Sequence, residues 1–134
     1  MTPLMCMAVA VFFEARSEVP DGIFAVAEVI ENRVESEYYP DTVCAVVNQR
    51  SQFSYTHDGK SDDPTKYDSY DDQLGWELSQ MVAYEVLYGN HTDFLADTVL
   101  HYHTTYVNPS WSNVHIREGS IGTHIFYTDH RYEN

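Results

Sequence analysis

TPLMCMAVAVFFEARSEVPDGIFAVAEVIENRVE, residues 2–35, decides the fold, because it holds two apolar helical segments separated by turn residues. Thr2-Pro3 offers a side-chain oxygen for an N-cap and then proline at the first helical position, where its missing N–H costs nothing. A helix is expected from there to about Ser17. Pro20-Asp21-Gly22 reads as a turn. A second helix is expected over 22–36, with Ile23, Val26, Ala27, Ile30 and Val34 at spacings of three and four forming one apolar stripe.

Outward from this pair, Tyr39-Pro40-Asp41 breaks the pattern, and Asp41 can cap a short third helix containing Val43, Cys44, Val46 and Val47. Residues 50–72 are polar, acidic and rich in Gly, Ser and Tyr, with no helical stripe. Such a stretch is too long for a mere connector in a compact domain, so a functional loop is expected, with a small hairpin around Phe53 and Tyr55. A long helix follows over 72–89, with Leu74, Leu78, Met81, Val82, Val86 and Leu87 as its apolar residues and Gly89-Asn90 ending it. The remainder carries short extended pieces, Val99 to Val107 and Ile121 to Tyr127, with turns at Asn108-Pro109 and Glu118-Gly119. The fold class is therefore α+β, mainly helical with a small β portion, as one domain over 1–134.

The composition excludes several functions. Seven Lys plus Arg against 21 Asp plus Glu give a net charge of −14. No basic stripe exists to displace counterions, which argues against a nucleic-acid partner. The spread of acids along the chain reads as solubility or adaptation to a salty medium. No apolar run reaches the ~20 residues that span a bilayer, so no membrane insertion is expected. Residues 1–11 are apolar, but they lack a basic flank and a small-residue cleavage site, and read as a helix of the domain and not as a signal peptide. Cys6 and Cys44 sit among apolar residues and read as buried free thiols. A bond between the first and third helices is the alternative, which sequence cannot place. The 11 tyrosines suit carbohydrate or peptide contact, and equally a core.

Glu14 is the first chemistry-bearing residue. Val9, Val11, Phe12 and Phe13 precede it, and apolar surroundings raise a carboxyl's pKa, as a general acid for glycosidic cleavage requires. Position alone favours a helix-edge Glu paired with Arg16 or Arg33. Glu18 would face the same way on a continuing helix, about 6 Å off, and two carboxylates there would suit retaining glycoside chemistry. Pro20 and Gly22 allow the helix to stop first. His101 and His103, two apart, share one face of a strand. With His124 they could bind zinc, but the spacing is no zinc signature, and hydrogen-bonded histidines lining a cleft are the expectation. Gln52-Phe53-Ser54-Tyr55 and Trp111 offer amide, hydroxyl and aromatic groups that suit sugar rings.

Several blocks in order resemble one family. They are Phe13-Glu14-Ala15-Arg16-Ser17-Glu18, Asn32-Arg33-Val34, residues 39–47 with Gln49, Gln52-Phe53-Ser54-Tyr55, His101-Tyr102-His103, Pro109-Ser110-Trp111 and residues 121–127. Together they are similar to the SleB/CwlJ cell-wall hydrolases, the spore cortex-lytic enzymes. Two positions depart from that pattern: Ser17 stands where the family usually has Gly, and Tyr55 where it often has Trp. The resemblance implies a compact lysozyme-like, lytic-transglycosylase-like fold, with Glu14 as the catalytic carboxylate. It implies a positioning or substrate-binding role for Glu18, Gln52, Phe53, Ser54, Tyr55, His103, Trp111, His124 and Tyr127. The expected substrate is bacterial peptidoglycan, with no cofactor and no metal. The expected setting is phage lysis or wall penetration. The protein would reside in the host cytoplasm before lysis or on a particle beside other virion proteins, and act in the periplasm or wall. A zinc-dependent amidase and a non-catalytic wall-binding or virion component are the alternatives.

Overall fold

The computed structural model describes residues 1–49 and 63–133. Four α-helices precede a three-stranded sheet: α1 Pro3–Ala15, α2 Pro20–Glu35, α3 Val43–Val47, α4 Tyr70–Tyr88, β1 Val99–Thr104, β2 Ile116–Ile121 and β3 His124–Thr128. The fold is thus mainly helical with a small β portion, as the sequence leads one to expect.

α1 starts where the cap residue puts it: the Thr2 hydroxyl accepts the Met5 N–H at 3.1 Å. Its sequence is apolar on nearly every side, which is the pattern of a helix surrounded by protein. Met7, Ala8, Ala10, Val11 and Phe12 are fully buried, and α1 packs against α2, α3 and α4. The opening apolar segment is therefore the central helix of the core. Among the described residues no helix is long and apolar enough to cross a membrane. The stripe on α2 behaves as its spacing predicts, with Ile23, Val26, Ala27 and Ile30 all at zero exposure.

Three local readings need correction. Pro20-Asp21-Gly22 is the first turn of α2 and not a connector, because proline at N1 has no N–H to leave unpaired. The extended piece 121–127 is broken at Gly122-Thr123, where Gly122 takes φ +60° and the chain reverses between β2 and β3. Glu118-Gly119 is no turn either: it lies inside β2, where the register slips between Arg117 and Gly119 and Gly119 adopts φ +144°. Cys6 and Cys44 also depart from the free-thiol reading. They form a disulfide that ties α1 to α3, with Cα atoms 5.3 Å apart.

The strand order is β1-β3-β2, all antiparallel. The register sets Tyr102 opposite Phe126 and Thr104 opposite His124, with His101 opposite Tyr127 and His103 opposite Ile125. Side chains alternate across a strand. Tyr102, His124 and Phe126 therefore face the helices, while His101, His103 and Tyr127 face the other way. This division decides which of the nominated residues can meet.

Candidate active site

Glu14 is the penultimate residue of α1, half-buried, two positions after the buried Phe12. Across from it, on the helix-facing side of β1, the Tyr102 hydroxyl donates to Glu14 Oε1 at 2.8 Å. The Tyr102 ring is itself held edge-on by His124, with centroids 5.0 Å apart, and packs against Phe126. The neighbouring arginine does not compete for this position: Arg16 Nε donates to Asp72 Oδ1 at 2.9 Å, and its guanidinium lies 4.5 Å over the Phe12 ring. That contact fixes α1 against α4 at the level of the site.

Glu18 does not continue the helix. α1 ends at Ala15, and Glu18 swings to the β2–β3 turn, so the shared helical face expected for Glu14 and Glu18 does not form. Its Oε1 accepts the Thr123 backbone N–H at 2.7 Å, and its Oε2 accepts the Thr123 hydroxyl at 2.6 Å. A β-carbon at Gly122 would stand 2.5 Å from Glu18 Oε1, so only glycine admits the carboxylate. Glu18 is a clamp that sets the turn, and with it His124. The His124 Nδ1 lies 3.5 Å from Glu18 Oε1, with no hydrogen-bond partner among the described residues. Burial pushes this ring below the ordinary histidine pKa, while the Glu18 charge pulls the other way and His103 adds to the lowering. The ring is neutral at neutral pH, so its contact with Glu18 is not an ion pair.

Glu14, Glu18 and His124 thus come together on the helix side of the sheet. His103, Trp111 and Tyr127 do not join them. They pack on one another across the opposite face, with Trp111 edge-on to both His103 (5.4 Å) and Tyr127 (5.5 Å). His103 Nδ1 lies 2.7 Å from the Thr104 carbonyl, which can only accept, so that nitrogen carries the proton. Nε2 then accepts the Tyr127 hydroxyl at 2.8 Å. These groups satisfy each other inside the β lobe. Gln52, Phe53, Ser54 and Tyr55, with the hairpin expected around them, lie outside the described residues.

Sequence reasoning missed the roles of Tyr102 and Thr123. Tyr102 was marked only by its place between two histidines. Strand alternation would have sent it to the face opposite theirs, had the helix-facing side been known. Thr123 bears no signature at all, because its role depends on a backbone N–H presented by a left-handed glycine.

Residues 17–127 match the Cell Wall Hydrolase family. Glu14 lies just before that stretch. A spore cortex-lytic enzyme of Oceanobacillus iheyensis is 36% identical over 85 residues, which are 60% of this chain and 31% of that protein. The chain thus spans about a third of the length of that relative. Two solved structures are similar over nearly the whole fold. The catalytic domain of the germination-specific lytic transglycosylase SleB from Bacillus anthracis superposes with a TM-score of 0.74 at 28% identity, covering 94% of this chain and 93% of that one. The catalytic domain of the Bacillus cereus SleB protein gives 0.73 at 27% identity, covering 94% and 89%.

Proposed function

The chain belongs to the cell wall hydrolase family, and from that premise we propose that it cleaves the MurNAc–GlcNAc bond of bacterial peptidoglycan as a lytic transglycosylase, with Glu14 as acid and then base. The observation that carries this reading is the difference between the two carboxylates. Glu18 spends both oxygens on Thr123 and is fixed as a structural clamp. Glu14 meets a phenolic donor at the end of a core helix. Retaining and inverting glycosidases both call for a pair of carboxyl groups flanking the bond. A transglycosylase needs only one, used twice.

In the first step the Glu14 carboxyl gives its proton to the glycosidic oxygen, the C1–O bond breaks, and positive charge builds on the muramic ring. The carboxylate left behind accepts the Tyr102 O–H, a charge-assisted bond stronger than the one it made when neutral. In the second step that carboxylate takes the proton of the sugar's C6 hydroxyl as O6 closes on C1. A 1,6-anhydro ring forms and Glu14 is protonated again. The similarity to the catalytic domain of SleB, a lytic transglycosylase, supports this class of reaction.

The setting belongs to the same proposal: a phage lysis or wall-penetrating enzyme that acts in the periplasm or wall, its partners the glycan and, on a particle, other virion proteins. The Cys6–Cys44 bond supports action outside a reducing cytoplasm. Glu14→Gln tests the function. It should abolish release of muropeptides from purified peptidoglycan while leaving the melting transition unchanged. Full activity in that variant would overturn the reading, and wild-type protein that binds glycan without cutting it would point to a wall-binding component instead.

A further inference from the structure

The outward face of the sheet carries a second cluster, which the glycan chemistry leaves unused. His101 on β1, His115 just before β2 and Asp129 just after β3 each place one ligand atom within 4.8 Å of the other two. His130, in the 3-10 turn His130–Tyr132, adds a fourth. Its Nδ1 lies 3.3 Å from His115 Nδ1 and 3.7 Å from Asp129 Oδ1. Two nitrogens on one tetrahedral zinc ion, each about 2.0–2.1 Å from it, stand roughly 3.3–3.4 Å apart. The His115–His130 pair has that bite. Asp129 is fully buried, and its orientation is fixed by Arg131, whose Nε donates to Oδ1 and whose guanidinium NH2 donates to Oδ2, both at 2.8 Å. Carboxylates oriented by outer partners in this way are the usual support of histidine-rich metal sites.

We propose that His101, His115, His130 and Asp129 form a binding site for a zinc-class divalent cation, which ties the C-terminal 3-10 turn to the sheet. At present His101 Nε2 shares a proton with Asp129 Oδ2 at 2.7 Å. Loading replaces that hydrogen bond, and the one that His115 Nδ1 accepts from the His130 backbone N–H at 3.1 Å, with metal bonds, and turns the His115 ring out of its stack on His101. Each imidazole stays neutral, its proton moved to the nitrogen turned away from the ion, and Asp129 stays anionic. The cluster lies across the sheet from Tyr102 and Glu14, so the ion's role is structural and the proposal stands apart from the glycan chemistry.

The test is calorimetric titration of tag-free protein with zinc chloride near neutral pH, with magnesium chloride as the comparison. The expected result is one zinc per chain and a raised melting temperature, with no response to magnesium. His115→Gln and His130→Gln, both at partly exposed positions, should each weaken zinc binding about tenfold or more while leaving the zinc-free melting curve in place. His91→Gln should change nothing. It breaks the other acidic–histidine group among the described residues, Glu28-His91-Asp93. Absence of binding, binding that survives both His115→Gln and His130→Gln, or binding lost only in His91→Gln would overturn the proposal.

Discussion

Tyr102 and Glu14 stand 88 positions apart in the chain and meet at 2.8 Å. That contact joins the helical lobe to the sheet at the carboxylate proposed to move the proton. Removing it should change catalysis more than folding. Tyr102→Phe keeps the ring packing on His124 and Phe126 but deletes the donor. A hydrogen bond to a charged group is worth about 1.5–3 kcal/mol, so kcat should fall by about tenfold or more with KM little changed. An unchanged kcat would remove Tyr102 from the mechanism. His124 makes a different prediction. Its folded pKa is lowered, so below the unfolded value of about 6.5 the unfolded chain binds a proton that the folded chain refuses. Stability should therefore decline as pH falls from about 6.5 toward the folded value. Urea midpoints at about pH 7.5 and 5.5 check this: His124→Gln should narrow the difference without abolishing it, because His101 and His115 are lowered in the same direction.

Among the elements, those whose signal is local were legible in the sequence. The Thr2 cap, the α2 stripe and the Gly89 end of α4 each depend on neighbours within a turn or two, whereas the start of α4 falls at Tyr70 behind a Ser69 cap, two residues before the expected 72. The β2–β3 hairpin was not, because its reversal at Gly122-Thr123 interrupts an otherwise continuous extended run, and what demands glycine there is a carboxylate more than 100 positions away. The same reason hid the function of Glu18: helical spacing paired it with Glu14, but the helix stopped first. The Cys6–Cys44 bond could be offered from the sequence only as the alternative to free thiols, since only packing of α1 on α3 brings the two β-carbons together. Its sequence separation of 38 predicts that reduction costs about 2–4 kcal/mol of stability. Chemical denaturation with and without a thiol reductant measures this, and identical curves would mean that the bond contributes nothing.

At the scale of the whole molecule, the sheet has two faces that carry two separate groups of side chains. The helix side holds Glu14, Tyr102, His124 and the Glu18 clamp. The outward side holds His103, Trp111 and Tyr127, which the sequence could group with the site only because a list of residues carries no sidedness. The net charge of −14 is also a property of the whole. An acidic protein meets repulsion at an anionic wall, and that repulsion is screened as the Debye length shrinks from about 30 Å at 0.01 M salt to about 8 Å at 0.15 M. Initial rates on whole cell walls should rise over that interval, while rates on short, uncharged glycan fragments should not. A falling rate on walls would show that attraction, and not repulsion, governs the encounter.

The central claim is that one carboxylate, Glu14, serves as acid and then base. Mass spectrometry of the sugars released from purified peptidoglycan tests it most directly. Muropeptides ending in 1,6-anhydro-muramic acid are expected from the wild type and none from Glu14→Gln. Products with free reducing ends, or anhydro products that persist in the variant, would contradict it.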